Sequence, residues 1–186
     1  MGGWTFDQTR FVKAANDAGR RKVFAKSVVA FLEKHNFDGI DIDWEYPVTR
    51  AGTPEDYDNY PLLCKALRDE FNRAGHTDWV ISVASTINPE SLALGFDVVN
   101  MATWIDFFNI MSYDIHGAWD EHAGALADVP YITHTIEYML DLGVPPSKMV
   151  YGMAAYGRST KLSSHTCTTN GCPIKGVGLT GCPGAF

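Results

Sequence analysis

Three acidic side chains stand at alternate positions in the segment DGIDIDWEYP, residues 38–47. In an extended chain alternate side chains point to the same face, so Asp41, Asp43 and Glu45 share one face. Three carboxyl groups this close in a largely dry interior cannot all ionise cheaply, and at least one should hold a proton near neutral pH. A protonated carboxyl is what a general acid needs. The spacing therefore predicts acid–base chemistry, with Glu45 nearest the carboxyl end of the strand.

Two other interpretations of this strand stay open at this point. A solvated edge strand would carry the same charges, although Ile40, Ile42 and Trp44 on its opposite face require burial. Three carboxylates could also bind magnesium or calcium. Metal-dependent barrels usually draw their ligands from several strands, whereas these acids lie on one. The pattern therefore favours an acid site without a metal or cofactor.

Strand and helix patterns alternate along the rest of the chain. Predicted strands cover residues 38–47, 79–86, 105–114 and 148–157, and residues 2–4 are interpreted as the end of an earlier strand. Predicted helices cover residues 22–35, 56–74 and 131–142, with a helical or mixed stretch at 91–104. Alternation of this kind predicts an α/β fold with parallel strands joined by right-handed crossovers. It fits either an open doubly wound sheet or part of an eight-stranded barrel, and no glycine-rich nucleotide-binding pattern follows any strand.

The composition argues against several classes of partner. The 186 residues are 46% hydrophobic and 20% charged, with a formal net charge of −7. A chain of this length can bury a substantial core. The acidic balance argues against nucleic acid and anionic membranes, and no apolar run reaches the roughly 18 residues that a membrane span needs. No signal-peptide pattern is visible at residue 1.

Three cysteines cluster in a tail rich in glycine, threonine and proline: Cys167, Cys172 and Cys182. Such a cluster suggests disulfides and an oxidising compartment. A zinc site that combines the three thiolates with His165 is the alternative, but the paired C-x2-C spacing of zinc knuckles is missing. The composition changes after Arg158, so residues 1–158 and 159–186 are interpreted as separate segments.

The motif D-x-x-D-x-D-x-E, filled by Asp38, Asp41, Asp43 and Glu45, is similar to the signature of glycoside hydrolase family 18 chitinases. Corroborating stretches are GGW at 2–4, which resembles the end of the family's third barrel strand, NIMSYDIHGAWD at 109–120, which resembles the sixth strand and its loop, and YGMAAYGRS at 151–159, which resembles the seventh. The tail is similar to the small insertion after strand seven in fungal chitinases related to killer-toxin α-subunits. The resemblance covers essentially the whole chain. It implies strands three to seven of a (β/α)8 TIM barrel over residues 1–158 and the start of a Cys-rich insertion over residues 159–186.

The resemblance also implies a mechanism. The family cleaves β-1,4 bonds between N-acetylglucosamine units with retention, and the acetamido oxygen of the substrate acts as the nucleophile. Carried over by motif, Glu45 is the acid, Asp43 binds the acetamido N–H, Asp41 tunes the charge of Asp43 and Tyr113 donates its hydroxyl to the acetamido oxygen; Asp38 is structural. Residues implied to bind substrate are Trp4, Tyr46, Met111, Asp114, Trp119, Tyr156 and Arg158.

Two further functions compete with a chitinase. One is a non-catalytic chitin-binding lectin, which the intact Glu45 argues against, and the other is an endo-β-N-acetylglucosaminidase acting on N-glycans. The resemblance implies a chain truncated at both ends, without strands one, two and eight, so we expect the isolated 186 residues to be inactive. The whole protein is expected to be a secreted monomer that acts on chitin or chito-oligosaccharides.

Overall fold

A four-stranded parallel sheet forms the centre of the computed structural model, which describes residues 1–178. Its strands are β1 (Gly39–Ile42), β2 (Val80–Ser85), β3 (Phe107–Ile110) and β4 (Met149–Tyr151), in the spatial order β1-β2-β3-β4. Every neighbouring pair is parallel. A doubly wound sheet reverses its strand order at a switch point, whereas this order follows the chain throughout. Within residues 1–178 the sheet therefore has the strand order of a barrel segment, one of the two predicted arrangements, and lacks the switch point of a doubly wound sheet.

Helices follow or precede these strands as α1 (Thr9–Ala15), α2 (Ala18–His35), α3 (Asp56–Ala74), α4 (Pro89–Gly95), α5 (Val98–Trp104) and α6 (Val129–Asp141), with a 3-10 turn at Pro146–Lys148. The first turns of α2, α4, α5 and α6 are each capped by a side-chain oxygen, from Asp17, Asn88, Asp97 and Asp128 respectively. These caps satisfy backbone N–H groups that have no partner inside the helix. Within residues 1–178, none of the helices has both the length and the apolar character to cross a membrane.

The structure corrects three predictions about element boundaries. The predicted strands 38–47, 105–114 and 148–157 pair over only four, four and three residues. Their polar carboxyl-terminal halves leave the sheet and enter loops. Helix α1 has no counterpart among the predicted helices, because its seven residues bury only Phe11 and Ala15. Beyond Arg158, where no periodic structure is predicted, β5 (Thr160–Leu162) and β6 (Ile174–Val177) form an antiparallel pair too short to show a period.

The core explains why the acidic face of β1 points away from the helices. Ile42 and Trp44 are completely buried on the helix side of the sheet. The Trp44 ring stacks on Phe11 at 5.5 Å and meets the ring of Tyr60 at 5.0 Å. Burying side chains of this size contributes about 1.5–3 kcal/mol each, which strongly disfavours the opposite register. The carboxylates between them are therefore directed to the inner face of the barrel segment.

Residues 1–3 pair with the outer edge of β1, in agreement with their interpretation as the end of an earlier strand. The Asp43 N–H donates to the Met1 carbonyl at 2.9 Å, and the Gly3 N–H donates to the Asp43 carbonyl at 2.8 Å. Gly2 lies between them with φ +117°, and a Cβ there would lie 2.1 Å from the Asp43 oxygen. Only glycine permits this close approach.

Candidate active site

A cleft of about 970 Å³ lies where the four parallel strands end. Its walls come from the segment before α1 and from the segments after β1, β2, β3 and β4, so residues distant in sequence meet there. The lining residues are Trp4, Asp43, Glu45, Tyr46, Thr86, Ile87, Asn88, Ser91, Met111, Tyr113, Asp114, Ile115, Trp119, Tyr131 and Arg158. This end of a barrel is where active sites of the fold are built. Nine of the eleven predicted site residues line the cleft; Asp41 lies below it and Tyr156 beside it.

Asp41 forms a polar row with side chains of two neighbouring strands. Its Oδ1 accepts a hydrogen bond from the Ser82 hydroxyl at 2.6 Å and from the Asn109 amide at 2.8 Å. Ser82 is the direct register partner of Asp41 across β1 and β2, and Asn109 lies on β3. Bonds of this kind hold the carboxylate in one orientation beneath Asp43. Among residues 1–178, no group of three metal-ligating side chains converges in a metal-binding arrangement.

Asp43 occupies the middle of the carboxylate series and lines the cleft. Burial raises its pKa above the ordinary value, and the negative charge of Asp41 raises it further. Both causes act in the direction that the alternating pattern predicts, because each makes the anion of Asp43 harder to form. The side chain therefore gives up its proton at a higher pH than an exposed aspartate does.

Glu45 is buried to 9% exposure and still borders the cleft. Burial is the first cause of its raised pKa and the charge of Asp43 the second, while a hydrogen bond to Tyr46 and the charge of Arg50 oppose them. Its backbone N–H donates to the Gln8 side chain at 3.1 Å. A carboxyl group with a raised pKa at a cleft wall can donate a proton to a bound molecule at a pH where an exposed glutamate cannot.

Tyr113 and Tyr46 place two hydroxyl groups beside these carboxyls. The pKa of Tyr113 is raised by burial and then by the charges of Asp43 and Glu45. The pKa of Tyr46 is raised by burial and then by Glu45. Both phenols consequently keep their protons in the neutral range and remain hydrogen-bond donors. Neutral donors next to two acids suit a polar, uncharged ligand.

The opposite wall is held by a bidentate ion pair. Arg158 donates from Nε and an Nη to the two oxygens of Asp114 at 2.6 and 2.7 Å. This pair is the main reason that the pKa of Asp114 is lowered. Tyr156 also bonds to Asp114, and burial and that carboxylate raise the pKa of Tyr156 to about 12. Its ring lies 6.1 Å from the ring of Tyr113.

Two indole rings stand at the cleft with most of their surface free. Trp4 is 60% exposed and Trp119 is 59% exposed. Flat, exposed rings are suited to the apolar faces of sugars. Each ring is contacted by a guanidinium, from Arg50 at 3.9 Å over Trp4 and from Arg158 at 5.0 Å over Trp119.

A disulfide between Cys167 and Cys172 supports the loop that carries Trp119. Segment 171–174 pairs with segment 121–123 through hydrogen bonds from the Ala123 N–H to the Cys172 carbonyl and from the Gly171 N–H to the Ala123 carbonyl, at 2.8 and 2.7 Å. The disulfide uses two of the three thiolates that a zinc site with His165 would need. Cys182 lies outside the described residues.

Several residues at the site are absent from the sequence-based prediction. Thr86, Asn88 and Ser91 follow β2, and their place after a strand end is a signal that could have identified them. Tyr131 comes from the start of α6. Three polar residues behind the cleft carry no local signal, because the acidic residues that they contact, Asp41 and Glu45, are 37 to 68 residues away in sequence: Gln8, Ser82 and Asn109.

Comparison with known proteins agrees with this geometry. The model of the glycosyl hydrolases family 18 matches residues 1–177. The chain is 38% identical over 168 residues to "Probable chitinase 2" of Drosophila melanogaster, covering 87% of this chain and 34% of that protein. It is 37% identical over 182 residues to "Chitinase A1" of Niallia circulans, and the match covers 85% of this chain and 26% of that protein. The chain therefore spans about a quarter to a third of these curated relatives.

A solved structure shares the fold. The Group IV chitinase of Ostrinia furnacalis, crystallised in complex with allosamidin, superposes with a TM-score of 0.87 at 31% sequence identity. The match covers 96% of this chain and 51% of that one. The relatives named here come from insects and a bacterium, so the narrower resemblance of the tail to a fungal subgroup stays a prediction.

Proposed function

Because the chain belongs to glycosyl hydrolase family 18, we propose that it supplies the catalytic centre of a chitinase that hydrolyses β-1,4 bonds between N-acetylglucosamine units. The observation that carries the proposal is the placement of Glu45, whose pKa is raised by burial and by Asp43, at the wall of a cleft with two exposed indoles. Relatives named as chitinases support chitin as the substrate class.

In the proposed reaction Glu45 donates its proton to the glycosidic oxygen as the bond to the anomeric carbon breaks. The acetamido oxygen of the same sugar attacks that carbon, and the leaving chain departs with the proton. The attack forms an oxazolinium-like ring on that sugar. Glu45, now a carboxylate, takes a proton from a water molecule that attacks the anomeric carbon and opens this oxazolinium ring. The sugar therefore leaves with its original configuration, and the protein needs no nucleophile of its own.

The neighbouring groups would orient the acetamido group. Asp43 accepts a hydrogen bond from the acetamido N–H. This bond makes the acetamido oxygen a better nucleophile and stabilises the positive charge of the intermediate. Asp41 adjusts the charge of Asp43 from below. Tyr113, a neutral donor, binds the acetamido oxygen and holds it against the anomeric carbon.

The remaining cleft residues would bind the sugars on either side. The indoles of Trp4 and Trp119 stack on sugar faces, and Asp114 accepts hydrogen bonds from hydroxyl groups. Met111 forms part of the pocket floor. The side chains that complete the walls are Tyr46, Tyr156 and Arg158.

We further propose that the protein is a secreted monomer that acts on chitin or chito-oligosaccharides without a metal or cofactor. The Cys167–Cys172 disulfide supports an oxidising compartment. Residues 1–158 would form the barrel segment and residues 159–186 the start of a Cys-rich insertion. The spacing of the cysteines in that insertion supports kinship with fungal chitinases related to killer-toxin α-subunits.

The test is hydrolysis of chito-oligosaccharides by the protein that carries this chain, compared with its Glu45→Gln variant. We expect kcat to fall about 10²- to 10⁴-fold, the usual contribution of a general acid, while oligosaccharide affinity is retained. Glu137→Gln, which removes an exposed carboxyl from α6, is the matched control and should leave both values unchanged. Unchanged turnover in Glu45→Gln would show that the assignment is wrong.

The same assays separate the alternatives. Binding without hydrolysis by the wild-type protein would favour the lectin, and release of glycans from a high-mannose glycoprotein but not from chitin would favour the endo-β-N-acetylglucosaminidase. The 186-residue chain is assayed in parallel. Release of chito-oligosaccharides by that chain alone would contradict the expectation that it is inactive.

A further inference from the structure

Arg50 connects two parts of the cleft that come from opposite sides of β1. One of its Nη atoms donates to the Trp4 carbonyl at 2.6 Å and to the Glu45 carbonyl at 3.2 Å. The guanidinium also lies 3.9 Å from the centre of the Trp4 ring. One side chain therefore holds both the backbone and the ring of Trp4, and the same group bonds to the backbone of Glu45.

The loop that carries Arg50 is itself fixed from inside the protein. The Asp56 carboxylate is completely buried and accepts hydrogen bonds from the N–H groups of Val48 and Thr53, at 3.2 and 2.9 Å. A Cβ at Gly52 would lie 2.1 Å from that carboxylate, so the loop closes tightly around it. The position of Arg50 is thus set by a rigid turn rather than by a mobile surface loop.

The segment that carries Trp4 is tied to Glu45 from its other end as well. The Gln8 side-chain amide donates to the carbonyls of Gly3 and Phe6, both at 2.9 Å, and its oxygen accepts from the Glu45 N–H. These bonds fix the backbone around Trp4 but do not contact its ring. The guanidinium does contact the ring, and 60% of Trp4 is exposed with Arg50 in place, so Arg50 is positioned to orient the indole.

We propose that Arg50 is a positioning residue, whose guanidinium covers one face of the Trp4 indole and sets the other face as a sugar platform at a fixed place relative to Glu45. A flat cation stacks on an indole and at the same time donates in its own plane, which an ammonium cannot do. The ring is thereby held in one orientation before a ligand arrives, which reduces the entropy lost on binding. The sugar-binding part rests on the proposed function, whereas the ordering of the ring does not.

The first test measures the ring without any ligand. The 186-residue chain is labelled with 5-fluorotryptophan, which gives one ¹⁹F resonance for each of the five tryptophans, and the Trp4 signal is assigned with Trp4→Phe. In Arg50→Met we expect the Trp4 resonance to move and sharpen, because the ring loses its fixed neighbour. A Trp4 resonance identical to that of the wild type would overturn the proposal.

A matched control is available on the outer surface. The Lys65 ammonium lies 4.9 Å from the centre of the Trp104 ring, so Lys65→Met also removes a cation from an indole. It should change the Trp104 resonance and leave that of Trp4 unchanged. Arg50→Lys keeps the charge but not the planar group, and we expect it to leave the Trp4 ring mobile; restoration of the wild-type signal by lysine would refute the role of the planar guanidinium.

The second test uses chito-oligosaccharide hydrolysis by the protein that carries this chain. Arg50→Met should raise KM about fivefold to tenfold with a smaller change in kcat, within the range of a lost cation–π contact. Trp4→Ala should do the same, and the double variant should be no worse than Trp4→Ala alone, because both changes remove one unit. Additive effects, or a lower KM in Arg50→Met, would overturn the proposal. Absence of hydrolysis by the wild type would refute the proposed function and leave the ¹⁹F result to decide the ordering of Trp4.

Discussion

Replacement of Asp43 by asparagine tests the electrostatic basis of the candidate acid. In the structure the charge of Asp43 is the second cause, after burial, of the raised pKa of Glu45. Asparagine has nearly the same shape and no charge, so Asp43→Asn should lower the pKa of Glu45. Burial remains, and the pKa should stay above its ordinary value.

The expected size of the interaction follows from the spacing of Asp43 and Glu45, which are two residues apart just beyond the end of β1. Residues two apart on one face are roughly 7 Å apart, and two unit charges at that distance interact by about 1.2–2.4 kcal/mol when the effective dielectric constant is about 40–20. That range allows for solvent screening at the open side of the cleft. This repulsion disfavours the anion of Glu45, so its removal in Asp43→Asn should lower the pKa of Glu45.

The assay is the pH dependence of kcat/KM, whose basic limb reports loss of the acid form in the free enzyme. In Asp43→Asn the basic limb of the kcat/KM profile should move to lower pH, although the overall rate also falls. A ¹³C titration of the Glu45 carboxyl gives the same quantity without relying on turnover. Asp38→Asn removes an exposed charge from the other end of the same segment. It should change neither the basic limb of the kcat/KM profile nor the ¹³C titration of Glu45. If the basic limb of Asp43→Asn stayed in place or moved to higher pH, the charge of Asp43 would not be a cause of the raised pKa of Glu45.

The pH dependence of folding stability gives an independent check of these raised pKa values. The pKa values of Asp43 and Glu45 are raised in the folded chain, so the folded state holds protons that the unfolded state has already lost. Stability is therefore reduced as the pH rises from the ordinary carboxyl range through the raised values. Asp43→Asn should be more stable than the wild type at pH 7, and this advantage should vanish below the ordinary pKa range.

Three further changes test how the site is held. Asn109→Leu removes one donor to the Asp41 carboxylate and should lower the free energy of unfolding by about 1.5–3 kcal/mol in urea titrations; an unchanged value would mean that the bond contributes nothing. Gly143→Ala, which has open space around its Cβ, should cost only about 1–3 kcal/mol for its backbone conformation in the same assay. Gly2→Ala places a methyl group against the Asp43 carbonyl and should cost more than that; equal costs would contradict the close approach. Cys167→Ser should weaken the β5–β6 pair by about 2 kcal/mol, seen as faster amide exchange over residues 171–174, and equal exchange rates would contradict the support assigned to the disulfide.

The alternation in residues 38–47 was enough to predict that Ile42 and Trp44 are buried, although Ile40 is only partly buried and Glu45 on the acidic face is buried as well. The role of Glu45 as the acid stays a prediction. A two-residue period is a local property of an extended chain, so the faces of β1 follow from Ile42 and Trp44 without knowledge of the neighbouring strands. The α/β class follows in the same way from the alternation of strand and helix patterns. The choice between a doubly wound sheet and a barrel does not, because both are built from the same repeating unit.

Only the tertiary structure decided which groups support the acids. Ser82 and Asn109 bind Asp41 because β2 and β3 lie beside β1 in a register that no local pattern encodes. Gln8 and Arg50 meet at Glu45 because residues 1–3 pair with one edge of β1 and the loop after it turns back. Hydrogen bonds and stacking act over a few ångströms of space and have no fixed separation in sequence. The chemistry of the carboxylates can therefore be predicted from their order, whereas the contacts that orient them appear only when distant segments are brought together.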